Sequence, residues 1–314
     1  MTGQVTARRR RRIGVETRAD SVMSPLADCA YAKMNGLGNE ILVLDLRSRE
    51  GAASLAEVRL LARAPGLAFD QMMTIHSSRR PEADAFVRIY NADGSETGAC
   101  GNGTRCVAWY LLRGGERNEL RLETPSGLID CVRRSPWDFT VDMGAPGLAW
   151  KDIPLSDPVA DTRSVELVLD PADAELGRPS VVSMGNPHAI FWVADFGRVD
   201  LKHAGPRLEN HRMFPERANI SFARVTGRNA IDLKVWERGA GLTRACGTAA
   251  CAVLVAAVRL DLCERAAQVT LPGGALAIEW RGDDHVLLSG PCELESEGRL
   301  DPSLLAQVSG QACA

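Results

Sequence analysis

Two cysteines stand in matching contexts, Ala99-Cys100-Gly101 and Ala245-Cys246-Gly247, each with a further cysteine downstream at Cys106 or Cys251. Each triplet follows a glycine-bearing turn and opens an apolar run, Val107–Leu112 in the first copy and Ala249–Leu260 in the second, so each cysteine falls at a helix start. There the first backbone N–H groups lack intrahelical partners and the macrodipole places partial positive charge. Both effects favour thiolate at neutral pH, and the same N–H groups make a site for a carboxylate. Two such starts facing one cleft would offer two thiols and two sets of donors, which suits epimerisation of an α-amino acid. One thiolate removes the α-proton, a thiol opposite returns one, and the N–H donors carry the charge that develops on the carboxylate. That chemistry calls for no cofactor, and the sequence has no Cys-x-x-Cys pair or Cys/His cluster of the kind zinc uses.

The remaining cysteines carry no such context. Cys106 and Cys251 lie one to two turns inside their helices as small apolar fillers, and Cys29, Cys131, Cys263, Cys292 and Cys313 read as structural. Nine cysteines at irregular spacing without a signal peptide fit free thiols in a reducing cytoplasm.

The elements that must position the pair are mostly strands. Alternating segments at Ile41–Leu46, Met72–His76, Ala85–Asn91, Leu120–Glu123, Leu128–Val132, Phe139–Met143, Val165–Leu169, Ala189–Val193, Ile220–Val225, Ile231–Trp236, Gln268–Leu271, Leu276–Trp280 and His285–Leu288 predict strands. Ser54–Ala64 carries a capping-box signature with Glu57. The second cysteine helix has no charge from Cys246 to Val258, so it must be buried on every side. In a strand-rich chain the simplest arrangement is a helix wrapped by a curved sheet. The Ala-Cys-Gly repeat then predicts an α+β fold of two similar halves meeting at a cleft: residues 31–145, with 291–314 returning to pack on them, and residues 146–290. The boundary falls near Gly144-Ala145-Pro146-Gly147.

With 45% hydrophobic and 25% charged residues the chain reads as globular, and a net charge of −3 argues against general nucleic-acid binding. Residues 1–30 are expected to be a disordered extension, its start carrying Arg8–Arg12. The segment after the Arg9–Arg10 pair is too polar for an export signal, and no run approaches the roughly 20 residues of a membrane span.

Six blocks in order over residues 31 to 290 resemble the diaminopimelate epimerase family. They are Met34-Asn35-Gly36-Leu37-Gly38-Asn39-Glu40; Phe69-Asp70-Gln71; Asn91-Ala92-Asp93-Gly94-Ser95 with Ala99–Cys106; Met184-Gly185-Asn186-Pro187-His188; Arg217-Ala218-Asn219; and Trp236–Gly241 with Ala245-Cys246-Gly247-Thr248. The resemblance implies two pseudo-symmetric domains, each a sheet around a central helix, and interconversion of LL- and meso-2,6-diaminoheptanedioate in lysine and peptidoglycan-precursor synthesis. It implies Cys100 and Cys246 as acid–base pair, and Gly101, Asn102, Gly247 and Thr248 at the reacting carboxylate. Asn39, Gln71, Asn91, Asn186, Asn219, Glu237 and Arg238 would place the substrate. Arg238 suits a distal carboxylate and Glu237 a distal ammonium, with His188 orienting a neighbour such as Glu237. No cofactor or metal, no nucleic-acid or membrane partner and a cytoplasmic homodimer complete the expectation.

The sequence departs from the family at Asn35, Glu40, Ala68, Leu242 and Ala249, none of which removes an acid, a base or a matched substrate contact. Two other readings use the same cysteines: a racemase or epimerase for histidine or hydroxyproline, and a thiol redox-regulated binding protein joining Cys100 to Cys246.

Overall fold

The computed structural model describes residues 24–309. The expectations for residues 1–23 and for Cys313 fall outside them, whereas residues 24–30, expected in a disordered extension, are ordered because Leu26 and Cys29 are buried against Leu42, Leu44 and Leu46. The first half runs β1 (Ala30–Asn35), β2 (Glu40–Asp45), α1 (Leu55–Leu61), β3 (Gln71–His76), β4 (Ala85–Asn91), β5 (Glu96–Thr97), α2 (Gly101–Leu112), β6 (Glu119–Thr124), β7 (Gly127–Ser135) and β8 (Asp138–Asp142). The second runs β9 (Ser180–Ser183), β10 (Pro187–Trp192), α3 (Leu201–Glu209), β11 (Asn219–Gly227), β12 (Ala230–Glu237), β13 (Gly241–Thr243), α4 (Gly247–Arg259), β14 (Ala266–Leu271), β15 (Gly274–Trp280) and β16 (Val286–Pro291). β17 (Glu293–Arg299) and α5 (Pro302–Ser309) follow.

The two halves repeat one pairing scheme. In the first, β1–β2 is antiparallel, β2–β3 parallel, β3–β4 and β4–β5 antiparallel, β4–β6 parallel, and β6–β7 and β7–β8 antiparallel. In the second, β9–β10, β10–β11, β11–β12, β12–β13, β12–β14, β14–β15 and β15–β16 reproduce that succession term for term. β8 pairs with β16, which joins the halves into one sheet, and β17 returns to pair with β1. In each half the cysteine helix lies in the connection between two parallel partners, β4 and β6 or β12 and β14, the arrangement a crossover connection needs.

Each half is therefore a curved sheet around one buried helix. Around α2 pack Met34, Ile41, Met73, Ile89, Phe139 and Val141; around α4 pack Ile190, Leu233, Val269, Ile278 and Leu288. Every residue from Ala249 to Ala257 is buried, so α4 forms because all its faces find apolar partners. Each of Val253, Leu254 and Val255 contributes about 1.5–3 kcal/mol on burial. The Ser54 capping box opens α1: Glu57 N–H donates to Ser54 Oγ at 3.3 Å and Ser54 N–H to Glu57 Oε2 at 2.7 Å.

The sequence expectation does not include β1, β5, β13, α3 or α5, and three further segments depart from it. Val165–Leu169 is not a strand; its alternation reflects Val165 tucked inward while Val168 is 71% exposed. β9 is too short for a periodic signal. β17 is almost wholly exposed and charged because β1 is its one partner, so it never shows the alternation of a half-buried strand.

At the seam between the halves, the Gly36–Asn39 loop rests on the turn before β15. A Cβ on Gly273 would fall 2.0 Å from the Leu37 carbonyl oxygen, so only glycine permits this approach. Gly273 N–H donates to Arg244 O at 2.8 Å, which ties the seam to the segment leading into Cys246.

Candidate active site

Cys100 and Cys246 are the N-cap residues of α2 and α4, with closely similar extended backbones at φ −153°, ψ 104° and φ −136°, ψ 108°. The two helix starts abut: a Cβ on Gly247 would lie 3.9 Å from Gly101 Cα and 3.8 Å from Asn102 Oδ1. Gly101, Asn102, Gly247 and Thr248 thus line one junction where unpaired N–H groups of both helices meet.

The thiols differ in their partners. Cys100 S–H donates to Gln71 Oε1 at 2.6 Å, and Gly103 N–H donates to its sulfur at 3.2 Å. Cys246 has no capping bond; its sulfur stands 3.5 Å from Thr248 Oγ1 and against the Glu237 carboxyl group. Burial pushes the Cys100 thiol up to about 11, against the pull of the Gly103 N–H and the Arg105 charge. Burial, reinforced by Glu237, raises Cys246 well above an ordinary thiol. The expectation of low thiol pKa values is therefore corrected: loss of water outweighs the helix N-terminus, because desolvation acts on the whole charge and the dipole on a fraction of one. A thiolate formed here is the stronger base for it.

Gln71 and Asn91 form one chain with Cys100, since Gln71 Nε2 donates to Asn91 Oδ1 at 3.2 Å and Asn91 Nδ2 to Ser95 Oγ at 3.0 Å. On the other side Arg238 N–H donates to Asn219 Oδ1 at 2.9 Å, and Asn219 Nδ2 to Pro187 O at 3.1 Å. The Arg238 guanidinium donates to Glu216 O at 3.0 Å. Asn39 bonds none of the others, and its buried Oδ1 has no partner.

One placement corrects an expected partner. His188 orients Asn186, not Glu237: its Nε2–H donates to Asn186 Oδ1 at 2.9 Å, and its buried Nδ1 is unpartnered. Burial and then the Arg238 charge hold this imidazole at about 3, so it is neutral across the working range. Glu237 lies beside Cys246 and accepts from Thr243 Oγ1. Burial raises its carboxyl pKa.

Sequence reasoning missed Glu209. This buried carboxylate at the end of α3 accepts from Trp236 Nε1 at 2.7 Å, Gly239 N–H at 2.9 Å and Arg217 at 3.0 Å. It thereby fixes both ends of the Glu237-Arg238 turn. An acidic residue in the last turn of a helix opposes the macrodipole, and that was the one legible cue. Glu209→Gln should raise KM about tenfold with a smaller change in kcat, and cost about 1–3 kcal/mol of stability. Steady-state kinetics alongside thermal unfolding will check it; an unchanged KM in a destabilised variant would reduce Glu209 to a scaffold role.

Among the described residues no group of three or more His, Cys, Asp or Glu could hold a metal, and no helix is long and apolar enough to cross a membrane.

The family model that describes diaminopimelate epimerase matches residues 31–149 and 180–294. The diaminopimelate epimerase of Methylobacterium sp. (strain 4-46) is 57% identical over 290 residues, covering 90% of this chain and 99% of that protein. That of Rhodopseudomonas palustris (strain BisB18) is 54% identical over 289 residues, covering 91% and 100%. Among solved structures, a predicted epimerase from Pseudomonas aeruginosa matches with a TM-score of 0.64 at 20% identity, over 87% of this chain and 99% of that one. A hydroxyproline epimerase from Agrobacterium vitis with bound trans-4-hydroxy-L-proline matches with a TM-score of 0.61 at 14% identity, over 87% and 90%. At those identities the two solved structures speak for the fold.

Proposed function

The chain belongs to the diaminopimelate epimerase family, and from that premise we propose how its residues divide the work of interconverting LL- and meso-2,6-diaminoheptanedioate. Cys100 and Cys246 are the two bases, one on each face of the reacting carbon. The thiolate takes the α-proton, the C–H electron pair moves into the carboxylate to give an enolate, and the opposing thiol returns a proton to the other face. The N–H groups at Gly101, Asn102, Gly247 and Thr248 hold that carboxylate and carry the charge it gains. The observation that supports this division is the contact of the two helix starts at Gly101 and Gly247, with a cysteine capping each.

Glu237 beside Cys246 takes an ammonium group at the sulfur end and keeps Cys246 protonated at rest. Arg238, Asn219, Asn186, Asn91, Gln71 and Asn39 surround the remainder of the substrate, with His188 locking Asn186. Neither the reaction nor these groups call for a cofactor. The enzyme acts in the cytoplasm as a homodimer, in keeping with its free cysteines and with the family resemblance.

Incubation with LL-substrate in deuterated water tests the two-base reading. Solvent deuterium should appear at the inverted carbon of the meso product, while recovered LL-substrate gains little early in the reaction. Deuterium entering both isomers at equal rates from the start would point to a single base. Turnover of histidine or hydroxyproline with diaminopimelate inert would overturn the substrate.

A further inference from the structure

Arg105 is among the largest wholly buried side chains of the protein, 0% exposed, and it sits in the first turns of α2. Two rules make that place costly. A cation near a helix N-terminus faces the positive end of the macrodipole, and a buried charge without a counter-charge suffers a desolvation penalty that hydrogen bonds only partly offset. Among the described residues the guanidinium meets no carboxylate. It donates from Nε to Pro291 O at 3.2 Å, from Nη1 to Gly101 O at 3.4 Å and from Nη2 to Asn102 Oδ1 at 3.0 Å. Three positive ends therefore converge on one junction: the start of α2, the start of α4 and this guanidinium. Such a convergence is stabilised when an anion occupies the junction.

We propose that Arg105 is a positioning residue for the epimerisation. Its guanidinium fixes the Asn102 amide and supplies the standing positive charge behind the helix starts, opposite the substrate carboxylate, the enolate derived from it and the Cys100 thiolate. The inference rests on the acid–base pair assigned above. With Oδ1 held by Arg105, the Asn102 Nδ2–H₂ donors turn away from the guanidinium. The same grip on Gly101 O steadies the peptide that follows Cys100. A plain staple between α2 and the end of β16 would explain the bond to Pro291. It would not explain a full charge there, nor a hold on a residue at the carboxylate junction.

The charged and titratable groups around the pair are few. Facing Arg105 are Cys100 and Cys106 at and within its own helix, Cys251 of α4, Cys292, and Asp138 of β8 beyond ion-pair distance; facing Cys100 are Arg105, Cys106 and Glu237 of β12. Burial dominates the Cys100 thiol, and Arg105 is the one cation that pulls against it.

The test is alkylation of each thiol in the free full-length enzyme by iodoacetamide across pH, resolved by mass spectrometry, with kcat and KM measured in parallel. Arg105→Met and Arg105→Gln should slow Cys100 alkylation about tenfold at fixed pH and move its midpoint toward alkaline pH, with Cys246 moving less. Arg105→Lys keeps the charge without the fork, so it should restore the Cys100 profile while KM stays raised. Neutral variants with native circular dichroism and a wild-type Cys100 profile overturn the proposal. Should neither neutral variant fold, Arg105→Lys decides alone: wild-type alkylation with raised KM supports the assignment, and unchanged KM overturns it. A Cys100→Ala enzyme that still epimerises would instead overturn the acid–base reading, and the alkylation of Cys246 would remain to show it.

Discussion

Cys100→Ala and Cys246→Ala should each lower kcat for epimerisation by about 10²–10⁴-fold, the range for losing one general acid or base. Neither change should unfold the protein, since alanine is smaller than either thiol, Cys246 makes no cap bond, and the cap bond from Gly103 N–H to Cys100 is worth about 1 kcal/mol. The informative part is what each variant keeps. With one thiol left, an enzyme can still withdraw and return the proton on one face, so it should exchange the α-hydrogen of one isomer with solvent without inverting it. Cys100→Ala and Cys246→Ala should do so with opposite isomers, which assigns each cysteine its face. Proton NMR in deuterated water reads this directly. Two variants that wash out the same isomer would mean that the faces are not divided between these sulfurs.

The pair was legible in the sequence because it was repeated. One cysteine before glycine at a helix start says little, but Ala-Cys-Gly at two helix starts is the trace of a duplicated half, and the pairing scheme of the strands repeats in step with it. Strands buried on one face, such as β12 and β14, announced themselves by alternation. β17 could not, because an exposed edge strand has no apolar face to display. Glu209 was hidden for a related reason: its importance lies in three donors from Trp236, Arg217 and Gly239, which come together only once α3 packs on β12.

The electrostatics were the least legible. Helix-start position is local and can be read from residues 99–106, whereas desolvation depends on everything that closes over the thiol. Burial in the folded chain therefore raises both Cys100 and Cys246, against the sign that their helix starts suggest. Glu237 shows the same limit. Nothing in the residues around Glu237 announces the thiol that the turn through Gly239 and Gly241 brings beside it.

Gly247→Val should lower kcat/KM by about 10²-fold, the scale expected for a displacement of about 1 Å at a reacting centre, with both cysteines intact. The physical cause is the seam between the helix starts. A Cβ on Gly247 already meets Leu288 Cδ1 at 2.9 Å and approaches Gly101 Cα at 3.9 Å, so two further methyl groups must part the helices or push Leu288 aside. If the helices part, the N–H groups no longer converge on one carboxylate, and the enolate loses donors whose individual removal costs about 10²–10³-fold in comparable sites. Gly101→Ala is the internal control. Its Cβ would meet Met143 and Leu288 at 3.3 and 3.5 Å, contacts a flexible methionine can relieve, so its loss should stay below about tenfold. Kinetics of the two variants, with thermal unfolding to confirm the folded state, give the comparison. A Gly247→Val enzyme that keeps a third of its activity would show that the reacting carboxylate does not sit between these two helices.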